Sequence, residues 1–124
     1  MNNMRFVLVT VSGAAEVVTL DYDKFLDEAY KLLDCSCIEM VRAEGGYHFV
    51  LDESGKIKTP PKKVNTLACR AYPALPYDYL AGDVLIGRID YSFEGGEFVF
   101  LTEQDIEKIQ FMLQRKIEVP SEKN

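Results

Sequence analysis

The stretch FVLVTVSGAAEVVTL, residues 6–20, decides the fold class of this chain. Residues 6–11 are almost continuous in β-branched and aliphatic side chains, which predicts a central strand that is covered on both faces. Ser12 and Gly13 supply a turn, and residues 16–20 predict a returning strand. The stretch therefore predicts a β-hairpin whose first strand lies inside a sheet.

The hydrophobic period changes after this hairpin. Apolar side chains recur at helical spacing over residues 22–33, which predicts an amphipathic helix that Asp21 or Asp23 can cap. Residues 37–41 and 47–51 flank a glycine-containing turn and predict a second hairpin.

A short helix between two loops is predicted for the middle of the chain. In the turn at residues 52–55, Gly55 is expected to take the positive φ that β-branched residues resist. Thr59 stands where a capping residue would precede a helix that begins with proline, and apolar residues at helical spacing over 64–72 continue that helix. Residues 73–78 contain two prolines, which predicts a loop.

One more hairpin and a last helix follow. Strands are predicted at residues 84–90 and 97–101, joined across residues 94–96. Thr102 and Asp105 have the spacing of a capping box, in which each satisfies a free N–H group at the start of a helix.

These elements predict an α+β fold: a single compact domain over residues 1–119, with a mostly antiparallel sheet built from hairpins and about three helices. Residues 120–124 are expected to form a frayed C-terminal tail. The 124 residues are 48% hydrophobic and 27% charged, which are ordinary values for one globular domain.

Charge and cysteine usage argue against several classes of protein. The chain has 20 acidic and 14 basic residues, and its net charge of -6 disfavours general nucleic-acid binding, because phosphate contacts dominate that affinity. No apolar run approaches the ~20 residues of a membrane span, so we expect no membrane partner. Three cysteines, an odd number, fit a reducing cytosol, and we expect a cytoplasmic protein.

The cysteines and the single histidine are the candidates for metal or catalytic chemistry. Cys35 and Cys37 would share a face of a strand, and Cys69 and His48 could complete a ligand set. Zinc sites generally use ligand pairs separated by two to four residues, and free cysteines usually behave as small core hydrophobes. His48 has no neighbouring nucleophile, and the chain has no glycine motif for phosphate. We therefore expect no metal, no cofactor and no enzyme activity.

Four lysines form a basic island that no acid interrupts: Lys56, Lys58, Lys62 and Lys63. Such an island can contact an anion or an acidic protein. It can equally be a solvated loop that protects a strand edge. The sequence leaves both interpretations open.

Aromatic residues and prolines are concentrated at residues 72–79, which include Tyr77 and Tyr79. Exposed tyrosines are common contact anchors, because they bury a large area at a small cost in entropy. The alternative is that these tyrosines fold back over a face of the sheet.

Five segments occur along the chain in a defined order: IEMV at 38–41, LDESGKI at 51–57, PP at 60–61 followed by NTLA at 65–68, GDVLIG at 82–87, and LTEQDI at 101–106. In composition and order they resemble domain-of-unknown-function family 3846, which comprises small proteins of phages, plasmids and other mobile elements of bacteria. The resemblance covers about residues 20–110. It implies a setting rather than a reaction, because that family has no assigned activity.

The resemblance also indicates where a shared site would lie. The matching segments are rich in turn and cap residues, and the one that contains Lys56, Pro61 and Asn65 is the first place to search, with Asp83 beside it. The chain departs from the family at residues 35–37, where the family has Gly-Gly-Tyr.

Two functions are predicted from these features, and a third remains open. The first is a non-enzymatic accessory protein of a phage or mobile element that binds and modulates a host or element-encoded macromolecule, including an anti-defence role, with a protein as its partner. The alternative is a small-ligand or nucleotide-binding module in which the basic island and Asn65 line an anion pocket. The third is a structural homodimer formed through exposed strand edges. We expect the chain to be either a monomer or a homodimer. The candidate binding residues are Lys56, Lys58, Pro61, Lys62, Lys63, Asn65, Tyr77, Tyr79 and Asp83.

Overall fold

The hairpin predicted at residues 6–20 forms one side of an antiparallel sheet. The computed structural model describes residues 3–92, 96–114 and 116–119. In it, strand β1 (Asn3–Val9) pairs along its whole length with β2 (Ala15–Asp21). β1 begins three residues before and ends two residues before its predicted limits, whereas β2 extends one residue beyond its prediction at each end. The existence of both strands is predicted well, because alternation and turn residues are local signals.

Four further strands complete the sheet: β3 (Ile38–Arg42), β4 (Tyr47–Asp52), β5 (Val84–Asp90) and β6 (Glu97–Val99). The strand order is β2-β1-β5-β4-β3, and β6 pairs with the C-terminal part of β5. All neighbouring strands are antiparallel, as the hairpin pattern predicts.

Three α-helices lie in the described part of the chain: α1 (Phe25–Leu33), α2 (Thr66–Cys69) and α3 (Glu103–Leu113). A 3-10 turn at Tyr22–Lys24 leads into α1, and Asp21 caps that turn. The capping box of α3 forms as predicted, with Thr102 and Asp105 bonding each other's backbone N–H groups. The prediction of an α+β fold with a mostly antiparallel sheet is confirmed.

Helices cover the two faces of the sheet. Phe6 and Leu8 of β1 pack with α1, whereas Val7 and Val9 belong to the core that contains residues of α2 and α3. All four side chains are buried, which explains why residues 6–9 lack the polar alternation of a half-exposed strand. Thr10 and Val11 lie after the strand and are half-buried.

The second helix is shorter than its sequence pattern predicts. Its cap is Asn65, whose Oδ1 accepts a hydrogen bond from the N–H of Ala68 at 2.9 Å, and the prediction that Thr59 caps this helix is wrong. Val64 forms an isolated β-bridge with Ala81, and the Lys62 N–H donates to the Gly55 carbonyl. These long-range bonds hold residues 62–64 outside the helix.

Gly55 serves a different purpose from the one expected. Its φ is not in the left-handed region, so the prediction of a positive φ is wrong. A Cβ at this position would lie 3.3 Å from the carbonyl oxygen of Ala81, so glycine permits two segments to approach closely.

Two predicted segments reach beyond the described residues. Most of the connection across residues 94–96 and the tail at 120–124 lie outside them. Within the described ranges, no helix combines the length and hydropathy needed to cross a membrane.

Candidate functional site

Two lysines of the basic island converge on one buried acid. Asp52 is the last residue of β4, and its Oδ2 lies 2.6 Å from the Nζ of Lys58 and 3.0 Å from the Nζ of Lys62. Burial raises the pKa of Asp52, but hydrogen bonds from Lys58, the Ser54 N–H and Lys62 outweigh it and hold the pKa below its usual value. Asp52 is therefore held as a carboxylate.

The same lysines bind the end of α1. Lys62 Nζ donates to the carbonyl oxygens of Leu33 at 2.6 Å and Asp34 at 2.9 Å. These carbonyls lie at a helix C-terminus, where the backbone carries partial negative charge. Lys62 thus joins α1, on one face of the sheet, to the end of β4, and we call Asp52, Lys58 and Lys62 the lysine clamp.

Lys56 belongs to a second arrangement. Its ammonium pairs with Asp78 and lies 4.4 Å from the centre of the Tyr79 ring. Tyr72 Oη donates to the other oxygen of Asp78 at 2.8 Å. The bonds from Lys56 and Tyr72 lower the pKa of Asp78 to about 2. The structure therefore brings the basic island and the aromatic loop together, although sequence analysis treats them as separate features.

Large exposed side chains lie next to these residues in the sequence of both loops. We define the paired-loop surface by Lys56, Ile57, Leu75, Tyr77, Asp78 and Tyr79. Tyr77 is 95% exposed and Ile57 is 80% exposed, while Leu75 and Tyr79 are exposed to a lesser degree. Ile57 and Asp78 are absent from the predicted site residues, although an isolated isoleucine between two lysines is a signal that could have been noticed.

Asn65 and Asp83 serve the fold. Asn65 is fully buried, and its Nδ2 donates to the carbonyl oxygens of Val9 and Gly82, each at 2.9 Å. Asp83 Oδ1 accepts from the N–H of Val11 at 2.9 Å and so fixes the β1–β2 turn. The hypothesis that Asn65 lines an anion pocket is wrong, because its amide is used entirely by the backbone around it.

Three of the predicted site residues line the same shallow cavity. Lys62, Lys63 and Asp83 line a volume of about 190 Å³, together with Asp34. Two acids and two lysines thus contribute to the lining, so their formal charges cancel, which limits the positive potential available to an anion. Pro61 is exposed beside Lys62.

The cysteines do not come together. Cys69 belongs to the core on the α2 side of the sheet, whereas Cys35 packs with the core on the α1 side, and Cys37 is exposed. Among the residues that the structure describes, no group of three or more histidine, cysteine or acidic side chains could hold a metal ion.

A groove beside α3 is absent from the predictions. It has a volume of about 610 Å³ and is bordered by Tyr47, Phe111 and Met112, among other residues. Phe111 is 80% exposed. Its position just outside the buried stripe of Ile106, Ile109 and Leu113 is the sequence signal that could have identified it.

Comparison with known proteins agrees with the resemblance of the five segments. No curated protein and no solved structure matches the chain. Residues 4–114 match the family model described as domain of unknown function, DUF3846. Because this match spans most of the chain, the protein belongs to the DUF3846 family.

Proposed function

We propose that this chain is a non-enzymatic protein that binds another protein through the paired-loop surface. One observation carries the proposal. Lys56, Asp78 and Tyr72 lock two loops together, and the same loops expose Ile57 and Tyr77 almost completely. Because the loops are held in place before a partner arrives, association needs little further ordering of the backbone.

The chemistry of this surface favours a protein partner. Lys56 and Asp78 neutralise each other, so apolar contact rather than long-range charge attraction governs binding. Tyrosine and isoleucine side chains with a polar rim have the composition of the centre of a protein–protein interface.

The biological setting of the proposal comes from the family resemblance. Proteins of phages and mobile elements commonly act on macromolecules of the host or of the element. A role as a cytoplasmic accessory protein that modulates such a factor, including a host defence factor, follows by association with that setting.

Photocrosslinking in cells tests the surface and captures an unidentified partner in the same step. A photoreactive phenylalanine analogue replaces Tyr77 in one variant and Phe111 in another, because both side chains are highly exposed and lie on different elements. We expect a discrete crosslinked protein from position 77 in bacterial cells and not from position 111. Identical products from both positions, or none from position 77, would count against the proposal.

The captured protein is then purified and titrated against defined variants. Tyr77→Ala and Ile57→Ala should each weaken binding at least about tenfold, as expected for central anchors. Phe111→Ala is the matched control and should leave affinity unchanged. Retained affinity in both loop variants would remove this surface as the contact site.

Anion binding is the second candidate function, and the cavity lined by Lys62 and Lys63 is the observation that favours it. Inorganic phosphate or a nucleotide should then raise the melting temperature, and Lys63→Ala should abolish the rise. Lys63 is the informative position, because Lys62 belongs to the lysine clamp and its removal disturbs the fold directly. An unchanged melting temperature across these anions would exclude this candidate.

A further inference from the structure

β2 and β3 lie at the two ends of the strand order β2-β1-β5-β4-β3, and they differ in how their outer sides are covered. At the β2 edge, the Val17 N–H donates to the Glu118 carbonyl at 2.8 Å, and the Glu118 N–H donates to the Ala15 carbonyl at 3.2 Å. At the other edge, β3 pairs with β4 on its inner side, and no described residue adds a strand to its outer side.

The register identifies the backbone groups on the outer side of β3. The Cys37 carbonyl accepts from the Glu53 N–H, and the Ala43 N–H donates to the Tyr47 carbonyl. Antiparallel ladders alternate, so the odd-numbered residues of β3 bond to β4. The backbone groups of Ile38, Met40 and Arg42 therefore point away from the sheet.

We propose that the outer edge of β3 pairs with β3 of a second copy of this chain, antiparallel and about a two-fold axis at Met40. The three outward-pointing residues are placed symmetrically around that axis. Met40 faces Met40 of the second copy, and Ile38 faces Arg42 in both directions. The two residues of each pair can form two reciprocal N–H···O=C hydrogen bonds with each other. The outward backbone groups of both copies are then satisfied, and the two sheets join into one continuous sheet.

The side chains of β3 are compatible with this pairing. The strand has one acid and one base, Glu39 and Arg42, so this edge is locally neutral although the chain has a net charge of -6. No two like charges face each other in the symmetric register, because Glu39 lies opposite Val41. β3 also lacks the prolines and lysines that protect exposed edges, and Met40 is 54% exposed at its centre.

Sedimentation velocity of the full chain under reducing conditions tests the proposal. We expect a concentration-dependent dimer. Met40→Pro removes an outward N–H that does not bond to β4, so it should abolish the dimer and keep the far-ultraviolet circular dichroism of the wild type. Met40→Thr keeps the backbone donor and should still dimerise. A monomeric wild type, or a dimer that survives Met40→Pro, would overturn the proposal.

Amide hydrogen exchange keeps the test informative if Met40→Pro fails to fold. In the wild type, the amides of Glu39 and Val41 bond to β4 and should be protected at every protein concentration. The amides of Ile38, Met40 and Arg42 should gain protection only as the dimer forms. If those three stay unprotected while the protein associates, the dimer uses another surface and the proposal fails. If they become protected only when a different extended polypeptide is added, the occupant is that polypeptide and not a second copy.

Discussion

The lysines of the basic island fall into two groups that the fold uses in opposite ways. Lys58 and Lys62 bind the buried Asp52 and the end of α1, whereas Lys56 binds the half-exposed Asp78 and stacks on Tyr79. The two groups differ in how deeply their acidic partner is buried. A buried carboxylate needs compensating charge for the protein to remain folded, while an exposed carboxylate can be solvated by water.

The comparison teaches that a run of like charges is not one functional unit. Residues only two to six positions apart either stabilise the interior or arrange a surface, according to the partner that the tertiary structure provides. Substitutions should therefore change stability most at the buried acid and least at the exposed anchors.

Removal of the buried acid should have the largest effect. Asp52→Asn leaves two ammonium groups beside a neutral amide, and we expect it to lower the free energy of unfolding by about 3 kcal/mol. Urea denaturation measures this quantity. Asp78→Asn is the matched control at the exposed pair and should cost less than about 1 kcal/mol. Equal losses in the two variants would contradict the division.

Substitution of the lysines should give a smaller difference in the same direction. Lys62→Met keeps an apolar stem but loses the bonds to Asp52 and to the carbonyl oxygens of Leu33 and Asp34, which should cost about 2 kcal/mol. Lys56→Met should change the free energy of unfolding by no more than about 0.5 kcal/mol. Urea denaturation again measures both. A Lys62→Met variant as stable as Lys56→Met would show that the lysine clamp contributes little.

Acid should remove the stability that the Asp52 carboxylate contributes. The pKa of Asp52 is lower in the folded protein than in the unfolded chain, so the unfolded chain binds more protons as the pH falls. The stability that Asp52 contributes is present above about pH 4 and is lost as the pH falls through its folded pKa. Melting temperatures between neutral and acidic pH should therefore fall more steeply for the wild type than for Asp52→Asn. Parallel curves would contradict this assignment.

The smallest effect on stability is expected at the exposed anchors. Tyr77→Ala and Ile57→Ala should leave the free energy of unfolding within about 0.5 kcal/mol of the wild type, because solvent already surrounds both side chains. Thermal denaturation checks this directly. A large loss would mean that these residues support the loops rather than a partner.

Local signals account for the parts of the fold that the sequence predicts well. The hairpin at residues 6–20, helix α1 and the capping box at Thr102 each depend on residues within a few positions of one another. The extent of α2 does not, because the bridge from Val64 to Ala81 decides where that helix begins.

The candidate site is harder to predict for the same reason. The sequence identifies Lys56 and Tyr79 as candidate binding residues, but it does not predict that their side chains are in contact. That contact depends on the tertiary packing of two separate loops. Nor does the sequence separate Lys58 and Lys62 from Lys56. Asp52 is nearest to Lys56 in sequence, and only the tertiary structure shows that Lys58 and Lys62 are the lysines that pair with it. Asn65 is among the predicted site residues, but every hydrogen bond it makes in the structure supports the backbone around it.

The lysine clamp has a consequence for how the molecule opens. Helix α1 cannot detach from the sheet without breaking the bonds of Lys62 to Leu33 and Asp34, and that step would leave the ammonium group with Asp52 alone. The helix, the end of β4 and the loop at residues 58–62 should therefore open as one cooperative unit rather than fray separately. A single side chain thus couples the fluctuations of a helix to those of a loop about 25 to 30 residues further along the chain.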